Sequence, residues 1–84
     1  VLKVFPNPIT RQGSLLFSLN ESSEIQVVMF DVLGNEVTKI INGQSFAAGR
    51  YSLSIDQGKK LASGLYFIEF NADNKISVEK LIVR

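Results

Sequence analysis

The 84-residue chain contains no cysteine, no histidine and no tryptophan. Without cysteine there is no disulfide, no thiolate nucleophile and no soft thiolate metal site. The lack of disulfides does not by itself assign a compartment, since a domain can be exported without them. Without histidine the usual general base near neutral pH is missing. An excess of either charge is missing too: nine Lys and Arg stand against eight Asp and Glu, for a formal +1, and the basic residues are scattered. That leaves no basic stripe for nucleic acid or an anionic membrane surface, so neither is expected as a partner. No apolar run approaches the roughly 20 residues of a spanning helix, and no charged segment leads into an apolar one as in a signal peptide. Membrane insertion is therefore not expected. The chain begins at Val1 rather than Met, as would a segment cut from the C-terminal end of a longer protein.

What is present is a globular composition, with 45% hydrophobic and 20% charged residues. A chain this short buries roughly 60–65% of its unfolded surface and supports a single core, so residues 1–84 are read as one domain. Period-two alternation dominates. Leu15, Phe17 and Leu19 share a face, as do Ile25, Val27 and Met29, and Tyr51, Leu53 and Ile55 alternate with Arg50, Ser52 and Ser54. "VLKVF", "EVTKII", "GLYFIEF" and "KISVEKLIV" add further strands. No apolar stripe of period 3.6 persists for three turns, which predicts essentially no helix. About seven short strands separated by turn signals predict an all-β, single antiparallel immunoglobulin-like β-sandwich.

Turn chemistry punctuates the strands. In "FDVLGNEV", Asp31 opens a type I turn over Val32 and Leu33, with Gly34 at the positive-φ position. "NADNK" places Asn71, Asp73 and Asn74 between two strong strands as a second hairpin. Pro6 and Pro8 in "FPNPIT" end the first strand and are expected to send the chain to another sheet. "FAAGRYSLSID" and "LASGLYFIEFN" share one frame, so Gly49 corresponds to Gly64 and Tyr51 to Tyr66. The expectation is one device used twice: a Gly for the tight turn, then a Tyr whose ring enters the core while its hydroxyl reaches the rim.

The last two strands break the alternation. "GLYFIEF" carries Leu65 and Phe67 opposite Tyr66, Ile68 and Phe70. In "KISVEKLIVR", Ile76, Val78 and Ile82 take one parity and Leu81 and Val83 the other. Either a bulge near Lys80 flips the register or the strand is apolar on both faces at its end. Both strands are then either central and covered, or they expose an apolar patch with a usable edge, where a partner docks or a second copy pairs when the domain is isolated.

Catalysis finds little to work with. Glu21 and Glu24 flank a turn, Asp31 caps one, and Glu69 and Glu79 are expected to point outward on strands. No nucleophile elbow, phosphate loop or metal-ligand spacing occurs, and the oxygens of "NADN" serve a hairpin better than Ca²⁺. No enzyme, metal or cofactor is expected. The remaining function is binding or recognition.

Taken together, the motifs resemble the type A C-terminal sorting domain of type IX secretion cargo from Bacteroidota, over essentially all 84 residues. Pro6-Asn7-Pro8 is similar to the opening "YPNP" motif, with Phe5 for Tyr. "FDVLGNEV" resembles "YDxxGxxV" through Asp31, Gly34 and Val37, with Phe30 for Tyr. Ser63, Gly64 and Tyr66 match "SGxYxxxx", and "KLIVR" resembles the Lys-led apolar ending. The resemblance implies a C-terminal signal that directs attached cargo through the periplasm to the outer-membrane translocon and shuttle proteins of type IX secretion. The cargo then reaches the cell surface or the medium, and a surface sortase often removes the domain. Lys80, Leu81, Ile82, Val83 and Arg84 are the expected readable end. Pro6, Asn7, Pro8, Asp31, Gly34, Gly64 and Tyr66 are structural first and recognition residues second. The competing expectation is a non-catalytic accessory module, glycan-binding or spacing, in an adhesin or extracellular hydrolase. The absence of Trp disfavours the glycan version.

Overall fold

Alternating residues become strands throughout the computed structural model, which describes residues 13–55 and 61–84, together with the backbone of residues 2–5. The strands are β1 (Leu2–Phe5), β2 (Ser14–Leu19), β3 (Ser23–Asp31), β4 (Glu36–Phe46), β5 (Gly49–Ser54), β6 (Gly64–Ala72) and β7 (Lys75–Val83). No helix occurs among the described residues. All pairing is antiparallel, in a three-stranded sheet ordered β1-β2-β5 and a four-stranded sheet ordered β4-β3-β6-β7.

The two sheets bury one shared core. Leu15 and Phe17 from β2 meet Ile25, Val27 and Met29 from β3, Ile68 and Phe70 from β6, and Leu81 and Val83 from β7. Leu15, Ile25, Val27, Met29, Ile55, Ile68 and Leu81 are all fully enclosed, as a strand with one face to the core requires. At one end four rings close the gap between the sheets. Phe17 stacks on Tyr51 within the smaller sheet, with centroids 5.1 Å apart, and packs at 5.1 Å from Phe70 and 5.7 Å from Phe46 of the larger one.

The β3–β4 ladder is irregular, with register shifts between Ile25 and Val27, Val27 and Val28, and Met29 and Phe30. Opposite Val27 stands Ile41 and opposite Val28 stands Lys39, so Ile40 is the extra residue of a bulge. The bulge lets both Ile40 and Ile41 turn inward, and both are buried. Strict alternation does not anticipate two adjacent core residues.

One expectation about connectivity is corrected. β1 and β2 pair in the same sheet, Leu2 opposite Phe17 and Phe5 opposite Ser14, so the chain returns to its own sheet after the first strand instead of crossing. Proline removes a donor and stops a strand, but the apolar face available for pairing decides where the next strand lands. Pro6, Asn7 and Pro8 themselves lie outside the described residues.

Candidate functional site

The larger sheet gathers motif residues from three separate stretches of sequence at one end. β3 finishes there at Asp31, β4 starts there, β6 starts at Gly64, and β7 finishes at Val83. Asp31 is the register partner of Tyr66, Tyr66 that of Leu81, and Gly64 that of Val83. Residues 31, 64, 66 and 81–83 thus sit on neighbouring strands within two residues of one another along the sheet.

Local chemistry shapes the β3–β4 turn. Asp31 O accepts from Gly34 N at 3.1 Å, and Asp31 N donates to Asn35 O at 3.0 Å. The Asp31 carboxylate adds bonds from Leu33 N at 3.0 Å and Asn35 N at 2.9 Å. Gly34 has φ +85°, with nothing near the place a Cβ would occupy, so backbone conformation and not space selects glycine there. The turn expected over Val32 and Leu33 is present. Its centre is also bare: Val32 is 61% and Leu33 82% exposed.

Gly64 and Tyr66 repeat the geometry of Gly49 and Tyr51. Tyr66 Oη donates to Ala62 O at 2.7 Å and Tyr51 Oη to Ala47 O at 2.6 Å, each four residues upstream. The glycines have φ of +156° and +150°. In each copy the phenol ties the preceding loop to the strand it introduces, as in the tyrosine corner of sandwich domains.

β7 settles the question raised by its two-faced ending. Its pairing with β6 runs without a shift from Ala72 opposite Lys75 to Gly64 opposite Val83, so no bulge occurs at Lys80. The end is apolar on both faces. Leu81 and Val83 face inward and are buried, whereas Ile76, Val78 and Ile82 share the outer face and are exposed. Lys80, on the same outer parity, stands opposite Phe67, and Ile82 opposite Leu65. Phe30 pairs with Phe67 from the other side, and Phe30, Leu65 and Phe67 are half-buried. Arg84 follows the strand and is exposed. Of the two strands, β6 is central while β7 is the last of the described strands in its sheet.

The five terminal residues therefore divide by role in the fold. Truncation after Glu79 would remove two core side chains as well as the outward ones. Glu79 is itself a correction: it stands opposite the core residue Ile68 and is half-buried on the inner face, not outward like Glu69, because the unshifted register puts odd-numbered β7 residues inside.

The β6–β7 hairpin uses its polar residues for its own construction. Asp73 and Asn74 have φ of +48° and +68°, the two-residue pattern that suits a twisted hairpin. Asp73 Oδ1 accepts from Glu24 N at 3.0 Å, and Asn71 Oδ1 from Asn74 N at 2.9 Å. A shallow groove lined by Glu24, Gln26, Asn71, Asp73 and Asn74 lies beside it. Among the described residues no group of three or more Asp and Glu is placed to hold a metal.

Reading by residue type missed the exposure of Val32 and Leu33. The available signal was two aliphatic residues at the centre of a turn whose geometry Asp31 and Gly34 already satisfy. The family model described as the secretion system C-terminal sorting domain matches residues 3–84. No curated protein and no solved structure matches the chain.

Proposed function

Since the chain belongs to the family of type IX secretion C-terminal sorting domains, we propose that its outer-membrane translocon reads the outward side of the β7 end. Membership implies a C-terminal sorting signal, dealings with the secretion machinery, and export to the cell surface or medium. In the proposed route the cargo folds in the periplasm, and the translocon engages Lys80, Ile82 and Arg84 while Leu81 and Val83 anchor the strand from inside. The two sheets serve as an immunoglobulin-like sandwich that carries this strand at its margin. A surface sortase then removes the domain from anchored cargo. Pro6, Asn7, Pro8, Asp31, Gly34, Gly64 and Tyr66 act through the shape of the fold.

The observation that carries this reading is the split of β7, with Leu81 and Val83 buried beside an exposed Ile82. Ile82 stands opposite half-buried Leu65 and beside half-buried Phe67 on the outer face, so the strand end presents a small apolar patch and not one isolated aliphatic side chain.

The test fuses residues 1–84 behind a signal peptide and a fluorescent reporter in a bacterium with type IX machinery. It compares the unmodified domain with one carrying Lys80→Ser, Ile82→Ser and Arg84→Ser. The expected outcome is reporter at the surface or in the medium for the first and in the periplasm for the second, both with folded-state circular dichroism. Equal export of the two refutes these residues as the address. Retention of both favours a non-catalytic accessory module, and glycan binding becomes the next measurement.

A further inference from the structure

We propose that the β3–β4 hairpin tip is a second recognition element of the same signal, inserting Val32 and Leu33 into an apolar pocket of a protein receptor. The inference rests on the sorting reading and extends it to residues 50 positions away in sequence.

Val32 and Leu33 are 61% and 82% exposed, and Leu33 is the most exposed large hydrophobic side chain among the described residues. The turn does not need them, because the central positions of a type I turn accept most residue types. Nor do they belong to the core cluster or the apolar side chains packed against it. The tip is also held in shape. The five hydrogen bonds between Asp31 and Leu33, Gly34 and Asn35 fix the backbone on both sides of the exposed pair. A rigid knob loses little conformational freedom on docking, which is how preorganisation converts a small apolar contact into affinity.

Position identifies the occupant. The tip rises from the end of the sheet where β7 finishes, since Asp31 aligns with Tyr66 and Tyr66 with Leu81. Between tip and terminus the outer face carries Phe30 beside Phe67, and Leu65 beside Ile82. One receptor gripping the β7 end thus meets a continuous apolar strip leading to the tip. Lys80 and Arg84 bring exposed cations to the β7 end of the strip, but Asp31 and the exposed Glu36 bracket the turn itself, so the patch carries both signs, which suits a protein pocket better than an anionic headgroup layer. The fitting partner is a protein pocket with apolar walls and hydrogen-bond donors or cations at its rim.

The experiment uses the reporter fusion with Val32→Ser/Leu33→Ser, and as its control Ile76→Ser/Val78→Ser, which removes two aliphatic residues of similar exposure at the far end of β7. Leu33→Ser alone and Leu33→Met accompany them. The expected result is a loss of surface or released reporter of about tenfold for the tip variant and less than about twofold for the control, tenfold being one decade in a binding constant. Leu33→Ser loses export in part, Leu33→Met retains it, and the thermal midpoints of the purified domains agree. Undiminished export of the tip variant, or equal loss in the control, overturns the proposal. So does vesicle binding, on phosphatidylglycerol and phosphatidylethanolamine, that disappears with the tip, or a dimer in sedimentation that the tip variant abolishes. If the unmodified fusion is itself retained, the sorting reading falls first and this one with it. Export of the unmodified fusion alongside normal export of the tip variant overturns the tip alone.

Discussion

The two Gly-x-Tyr copies differ in burial and not in geometry, which makes them a controlled pair. Both hydroxyls bond a carbonyl four residues upstream, but the Tyr66 bond is partly buried and the Tyr51 bond exposed. Removing a donor from a buried acceptor costs more than from a hydrated one, because water replaces the lost partner only at the surface. Tyr66→Phe should therefore destabilise by about 1–2 kcal/mol and Tyr51→Phe by less than about 1 kcal/mol, read from urea midpoints. Equal losses would show that burial does not distinguish them. Gly64→Ala meets no atom within 4 Å, so any cost is purely conformational, on the order of 1–3 kcal/mol. The echo between the two copies was legible in sequence because a Gly two residues before a Tyr is a local pattern. The exposure of Leu33 was not, since the accessibility of a residue in a turn depends on what the rest of the chain brings near it.

At the scale of an element, β7 has a buried face and an exposed face at its end. Leu81 is completely enclosed and Ile82, its neighbour, is 40% exposed. Leu81→Ala should cost about 2–5 kcal/mol, the range for a core truncation that leaves a cavity. Ile82→Ala should stay within about 0.5 kcal/mol, as surface substitutions do. Paired chemical-denaturation curves check both, and a large loss at Ile82 would mean that its outer face is covered in the folded domain. The alternation of β5 was readable from single residues, since it has one apolar parity, and in β2 and β3 the inward set stands out although Leu16, Val28 and Phe30 fall on the other parity. The ending of β7 was ambiguous between a bulge and a two-faced strand, because both give the same letters. Only its unshifted pairing with β6 separates them.

At the scale of the whole molecule, packing between the two sheets predicts a single cooperative unfolding transition. Phe17 and Tyr51 of the smaller sheet pack against Phe46 and Phe70 of the larger, so neither sheet keeps its apolar face covered without the other. With no Trp in the chain, Tyr51 reports on the smaller sheet and Tyr66 on the larger. In Tyr66→Phe and Tyr51→Phe variants, each retaining one reporter, tyrosine fluorescence and far-ultraviolet circular dichroism should give coincident unfolding transitions. Midpoints that separate would show the sheets unfolding independently.

The sequence by itself determined the all-β class, the inward parity of most strands, both hairpin turns and the family, because each depends on residues close together in the chain or on motifs in a fixed order. Tertiary structure alone decided that β1 returns to its own sheet, that Glu79 faces inward, and that the bulge lies in β4 beside Ile40 and not at Lys80. It also decided that Asp31, Tyr66 and Leu81 meet at one end of a sheet. These outcomes depend on which strand lies beside which, and strand pairing is chosen by the burial of complementary apolar faces across long sequence separations, a quantity that no local pattern contains.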